Sequence, residues 1–195
     1  MVSSFIRYQD SPTDDFVLLC YLIGNDFIPA VPGLGISEGS LTLLFDTYKE
    51  VLPTLGGYLV EDGQFSPQRL IAFLASVNQQ LLDDAEDVKQ RQAERQEAGN
   101  DVDEEEEEEP TFDPETWYVD KLKFVDGDQK PIDELVFHYF ESLAWCLHYY
   151  FHGCVSWSWF YPYHYAPLLG DLAQATGEFE FKFQDRKSTR LNSSH

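Results

Sequence analysis

Apolar positions along the chain fall into runs with helical spacing, punctuated by glycine and proline. The first, TDDFVLLCYLIGNDFIPAVP (Thr13–Pro32), leads from Asp14 and Asp15 into an uninterrupted apolar stretch, Phe16 to Ile23. Carboxylates at a helix start complement the unpaired N–H groups there, so the run predicts about two turns of buried helix. Gly24 and Asn25 both tolerate a left-handed backbone and can stop that helix sharply. Pro29 and Pro32 keep it from resuming, which sets Asp26 at the mouth of an apolar wall.

Ser37 can cap a second helix, with Glu38 in its first turn and Leu41, Leu44, Phe45 and Tyr48 on one face. Pro53 closes it. After Gly56-Gly57, the runs Tyr58–Val60 and Gln64–Phe65 flank Asp62-Gly63, a hairpin signal. Ser66-Pro67 opens another helix whose apolar face is Leu70, Phe73, Leu74, Val77 and Leu81. From Asp83 to Glu97 every side is charged, and six consecutive glutamates, Glu104 to Glu109, follow. Such a stretch has little to bury, so residues 83–112 read as a disordered acidic spacer. Order is expected again at Asp113-Pro114-Glu115, the start of a short amphipathic segment to Phe124. The longest helix is expected from Pro131 to about His152, stopped by Gly153, with Leu135, Val136, Tyr139, Leu143, Cys146, Leu147 and Tyr150 at spacings of three and four. It delivers the chain into VSWSWFYPYHYAP, Val155 to Pro167, where prolines forbid a helix. The final residues, DRKSTRLNSSH (185–195), match the conceptual translation of a sequencing-adapter oligonucleotide and are left out of fold reasoning. The chain thus divides into residues 1–82, the spacer 83–112, a helical and aromatic part 113–184, and the tail 185–195.

Composition changes this picture in two respects. With 43% hydrophobic and 15% aromatic residues in 195, most of the chain should fold around a core. The run Phe16–Ile23 is too short to span a bilayer, which needs about 20 residues, and the N-terminus lacks a secretory pattern. Cys20, Cys146 and Cys154 show no paired spacing and read as reduced thiols inside a cell. The net charge of −22 argues against simple electrostatic binding to nucleic acid. Half of it, however, lies between Asp83 and Glu109, where fourteen acidic and three basic residues give −11. Acidity also suits a site that concentrates a divalent metal, so charge alone does not exclude a nuclease.

Asp26 is the leading candidate for chemistry, as a carboxylate that suits a hard ion such as magnesium; a helix cap followed by a turn is the plainer reading of the same spacing. Asp14 and Asp15 lie roughly 16 Å away along a regular helix and cannot share its ion. His148 and His152, one turn apart with Cys146 and Cys154 nearby, could hold zinc, but no second ligand pair supports this and a packed aromatic helix is the simpler account. The aromatics of Trp157–Tyr165 either plug the core or stack on nucleobases, each stack contributing about 1–3 kcal/mol. A Ser–His–Asp arrangement, a phosphate-cradling glycine loop and a dinucleotide fingerprint are all missing.

Three blocks, DDFVLLCYLIGNDFIPAVP, VLPTLGGYLVEDGQF and LAWCLHYYFHGCVSWSWFYPYHYAPLLGDL, resemble the Xrn-type 5′→3′ exoribonucleases in the same order, covering most of Asp14 to Leu172. Leu52-Pro53, Leu55-Gly56-Gly57-Tyr58 and the acidic spacer resemble the cytoplasmic, Pacman-like branch, with the nuclear branch as second reading. The resemblance implies a mainly α fragment with one small β-hairpin, the C-terminal part of an α/β nuclease domain of the PIN/flap-nuclease kind. It implies that Asp26 is a catalytic ligand of magnesium (manganese as substitute), and that Trp157, with Trp159 as alternative, stacks on the bases at the RNA 5′ end. The implied substrate is single-stranded RNA with a 5′-monophosphate, degraded processively to nucleoside 5′-monophosphates in cytoplasmic mRNA turnover. The implied partners are the N-terminal half of the nuclease domain and decapping or mRNA-decay factors, with no membrane. Three features depart from the family: Ala30 replaces its usual histidine, the spacer before Trp117 is short, and the upstream catalytic half is absent, so the fragment alone is expected to be inactive. The competing reading is a non-catalytic acidic and aromatic protein-interaction module.

Overall fold

The first apolar run is helical from Pro12 to Tyr21 (α1) in the computed structural model, which describes residues 12–35, 38–97, 113–177 and 179–183. Pro12 sits in the first turn, where its missing N–H is no loss, so the helix starts earlier than Phe16. Its end tightens through Leu22 N–Leu19 O (3.2 Å), Ile23 N–Cys20 O (3.3 Å) and Gly24 N–Tyr21 O (3.0 Å). Leu18, Leu19, Leu22 and Ile23 are buried.

Asp15, expected only as a helix-start charge, is fully buried at 0% exposure. Its carboxylate accepts from the Tyr48 hydroxyl (2.5 Å) and from the amides of Leu59 (2.8 Å) and Val60 (2.7 Å). Burial pushes its pKa above the ordinary carboxylate value, although these three donors and the charge of Arg69 pull the other way. One side chain therefore ties α1 to α2 (Glu38–Val51), which carries Tyr48, and to the strand β1 (Val60–Glu61).

α2 buries Leu44 and Tyr48 and ends before Pro53, which lies in a 3₁₀ turn, Leu52–Thr54. The expected cap, Ser37, lies outside the described residues. β1 pairs antiparallel with β2 (Gln64–Phe65), Val60 opposite Phe65 and Glu61 opposite Gln64. Asp62 (φ 51) and Gly63 (φ 73) both take the left-handed conformation that a two-residue Asp-Gly turn requires.

α3 (Pro67–Glu97, 31 residues) corrects two expectations, because it is longer than the helix after Pro131 and it continues through Asp83–Glu97. That stretch is rich in alanine, glutamine, glutamate and arginine, all good helix formers. Pairs one turn apart support it: Gln79 with Asp83 (2.7 Å), Gln80 with Asp84 (3.1 Å) and Gln90 with Glu94 (3.2 Å). The rest of the predicted spacer, 98–112, lies outside the described residues, as does the tail 185–195.

The short segment after Asp113 forms a π-helical turn, Tyr118–Leu122, closed by Lys123 at φ 58. α4 (Gln129–His152) is capped by Asp128, which accepts from the Lys130 amide (3.2 Å), and ends at Gly153 (φ 84). It is the centre of the fold, with Leu135, Val136, Tyr139, Phe140, Leu143, Trp145, Cys146 and Leu147 all buried. Tyr150, expected on that face, is exposed. α5 (Leu169–Ala173) packs against α3 and α4. After it, Phe179, Phe181 and Phe183 alternate with exposed Glu180 and Lys182 and pack on Phe140 (4.8 Å), Phe65 (5.9 Å) and Trp159 (6.0 Å) respectively. The described residues are thus mainly helical with one two-stranded hairpin, as expected.

Candidate functional site

The loop after α1 is built around two residues. Gly24 has φ 94, and a Cβ there would sit 2.8 Å from the Ala30 amide nitrogen. Asn25 folds the next turn: its Oδ1 accepts from Phe27 N (2.8 Å) and Ile28 N (3.0 Å), while its own amide donates to Ile28 O (3.0 Å). This is an Asx turn, the arrangement asparagine favours. Val31 N donates to Leu22 O (2.9 Å), and Tyr139 of α4 donates through its hydroxyl to Pro29 O (3.2 Å). Inside this closed loop Asp26 points outward. It is exposed, and its carboxylate has no hydrogen-bond or ion-pair partner among the described residues.

Asp26 opens onto a cleft of about 680 Å³ whose other walls include Phe27, Tyr149, Tyr150, Cys154 and Trp157. Phe27 meets Trp145 edge-on (5.1 Å, 65°) and Tyr149 likewise (5.2 Å, 62°). Tyr149 stacks on Trp145 (5.4 Å, 9°), and Trp145 stacks on Trp159 (5.3 Å, 19°). The two candidate tryptophans therefore have different surroundings: Trp157 is 91% exposed in the cleft, whereas Trp159 is packed between Trp145 and Phe183 and does not line it. Asp26 and Trp157, 131 positions apart by their numbers, come to one cleft because α1's loop docks on the C-terminal half of α4.

Sequence reasoning missed Trp145 and Tyr149. Their signal was a spacing of four on α4, which puts them on one face beside the loop. The Trp145 indole N–H is buried without a partner among the described residues. Cys146, on the cleft floor, is pushed up to about 11 by burial, a shift that the Asn25 side chain partly opposes, so its thiol is neutral at physiological pH.

Asp14 and Asp15 do not line this cleft. His148 and His152 have ring centroids 4.9 Å apart and line a different cleft, with Gly63 and Phe181. No group of three or more histidine, cysteine or carboxylate side chains is placed to hold a metal ion among the described residues. An outward carboxylate on a braced loop has the right chemistry for a hard divalent ion, and Asp26 fits as one ligand. Magnesium takes six oxygens in near-octahedral geometry, so the described residues offer one ligand of a set and not a whole site.

Comparison with known proteins matches the family described as the Xrn1 helical domain to residues 9–116 and 114–191. The 5′-3′ exoribonuclease 1 of Homo sapiens is 30% identical over 214 residues, covering 82% of this chain and 12% of that protein. The 5′-3′ exoribonuclease 2 homolog of Drosophila melanogaster is 25% identical over 225 residues, 84% of this chain and 25% of that protein. A 58-residue stretch is 50% identical to 5′-3′ exoribonuclease 1 of Saccharomyces cerevisiae, 30% of this chain and 4% of that protein. The chain spans at most a quarter of the length of these relatives.

Proposed function

The chain belongs to the family of the Xrn1 helical domain, and from that premise we propose that it is part of the nuclease domain of a processive 5′→3′ exoribonuclease. Its substrate is single-stranded RNA bearing a 5′-monophosphate, shortened to nucleoside 5′-monophosphates in mRNA turnover. The parent domain is an α/β nuclease of the PIN/flap kind. The observation that carries this reading is the shared cleft of Asp26 and Trp157, an outward carboxylate and a bare indole face. The interaction-module reading is not favoured, since relatives named exoribonucleases match more than four fifths of the chain.

Each residue has a definable part. Asp26 presents one oxygen ligand to magnesium, or manganese in its place. When bound, that ion polarises a phosphodiester and activates water. Trp157 offers a flat face to a base at the RNA 5′ end, a stack worth about 1–3 kcal/mol with little sequence preference. Phe27 and Tyr149 make an apolar wall beside the carboxylate. The remaining ligands and the 5′-phosphate pocket belong to the upstream half of the parent, and decapping or decay factors in the cytoplasm deliver the substrate. The cytoplasmic branch is preferred and the nuclear branch is second.

The test is degradation of 5′-monophosphorylated RNA by the full-length parent. Asp26→Asn is expected to lower kcat by about 100-fold or more, on the scale of losing an electrostatic or metal-bound group. Trp157→Ala is expected to shorten the processive run with a smaller effect on metal dependence. An Asp26→Asn enzyme that keeps its magnesium-dependent rate, or a Trp157→Ala enzyme with an unchanged product-length distribution, would remove the corresponding role.

A further inference from the structure

We propose that Asn25 is a positioning residue for Asp26, its side chain setting where the neighbouring carboxylate sits in the cleft. The inference rests on the reading of Asp26 as a metal ligand and adds a residue to it. No hydrogen bond or ion pair fixes the Asp26 carboxylate among the described residues, so its place depends on its backbone. That backbone is held almost wholly by Asn25. One amide oxygen accepts from both residues that follow Asp26, at 2.8 and 3.0 Å, and the Asn25 N–H donates to Ile28 O at 3.0 Å. Asp26 is therefore enclosed in a ring of three bonds that all start from Asn25.

The other end of the same side chain faces α4. Asn25 Nδ2 lies 3.9 Å from Cys146 Sγ, a long contact to a thiol that burial keeps neutral. Through it the loop is referenced to the helix that carries Tyr149, and the helix leads directly to Trp157. Asparagine offers both an acceptor and a donor on one short planar group, whereas glutamine is a methylene too long for the Asx turn. An aspartate keeps the acceptor, loses the donor and adds a charge beside Asp26. An alanine loses all of it. A reacting group displaced by about 1 Å can lower a rate by about 100-fold.

The experiment uses the full-length parent with Asn25→Ala, Asn25→Asp and, as reference, Asp26→Asn. Manganese binding is read by electron paramagnetic resonance, RNA binding is measured in EDTA, and kcat and KM are measured with metal present. Asn25→Ala is expected to weaken manganese binding and lower kcat by about 10- to 100-fold, as loss of a ligand-orienting partner does. RNA affinity in EDTA should stay within about twofold, and Asn25→Asp should recover kcat to within about threefold of wild type because the turn acceptor is kept. Wild-type manganese affinity and kcat in Asn25→Ala, with both lost in Asp26→Asn, would overturn the role of Asn25 and leave that of Asp26 standing. Unchanged manganese binding in Asp26→Asn would instead remove the underlying reading. Loss of RNA binding in EDTA by both Asn25 variants would mark a general folding defect and also overturn the positioning role.

Discussion

Replacing Asp15 with alanine leaves the amides of Leu59 and Val60 buried without an acceptor. Each unsatisfied buried group costs about 1–3 kcal/mol, so the variant is expected to lose about 2–6 kcal/mol, read as a lower urea midpoint. The pH dependence has a definite sign. Burial raises the folded-state pKa of Asp15 above its ordinary value, so between the two values the folded chain holds a proton that the unfolded chain has released. Its contribution to stability is therefore fully present below the ordinary carboxylate range and falls as pH rises through the folded pKa. Asp15→Asn should flatten that part of the curve; an unaltered slope in urea melts across acidic pH would show that Asp15 does not titrate there. None of this was legible locally. A carboxylate at a helix start looks the same whether or not it is buried, and the partners of Asp15 lie 44 and 45 residues on. Asp26 was legible, since Gly-Asn-Asp after an apolar run already implies a sharp stop and an outward carboxylate. Trp157 and Trp159 could not be told apart, because which one faces outward is decided by Trp145, on another element.

Among the elements, the hairpin was the easiest to read, because Asp-Gly between apolar runs leaves few alternatives. α4 and the apolar face of α3 followed from their spacing. The extension of α3 did not. A helix with no face to bury gives no periodicity, and its support comes from propensity and pairs one turn apart, each worth only about 0.2–0.5 kcal/mol. Val88→Pro tests this directly. It should remove part of the helical circular dichroism, since proline costs about 3 kcal/mol in a helix interior, while leaving the main melting transition in place. A fall in that transition would mean that residues beyond Asp84 contribute to the core. The phenylalanine alternation at 179–183 was a missed period-two signal, now explained by rings that lie against α4, β2 and Trp159.

At the scale of the whole molecule, the described residues form one hydrophobic cluster, and the cleft beside it is lined by a single carboxylate, that of Asp26. The chain expressed alone is accordingly expected to show no exonuclease activity on 5′-monophosphorylated RNA; robust magnesium-dependent turnover by the purified chain would show that Asp26 needs no further ligands from upstream. The length of α3 bears on the puzzle of an acidic chain with an RNA substrate. Glu97 lies thirteen positions beyond Asp84, which at the usual rise carries the helix about 20 Å along its axis. At physiological salt the screening length is about 8 Å, so a charge on the exposed far half of α3, such as that of Glu94, is felt at the helix base with only a small fraction of its unscreened strength. The acids along the far half of α3 therefore add little to the potential at its base, and a count of charges over the sequence is a poor guide to the field that a phosphate would meet there.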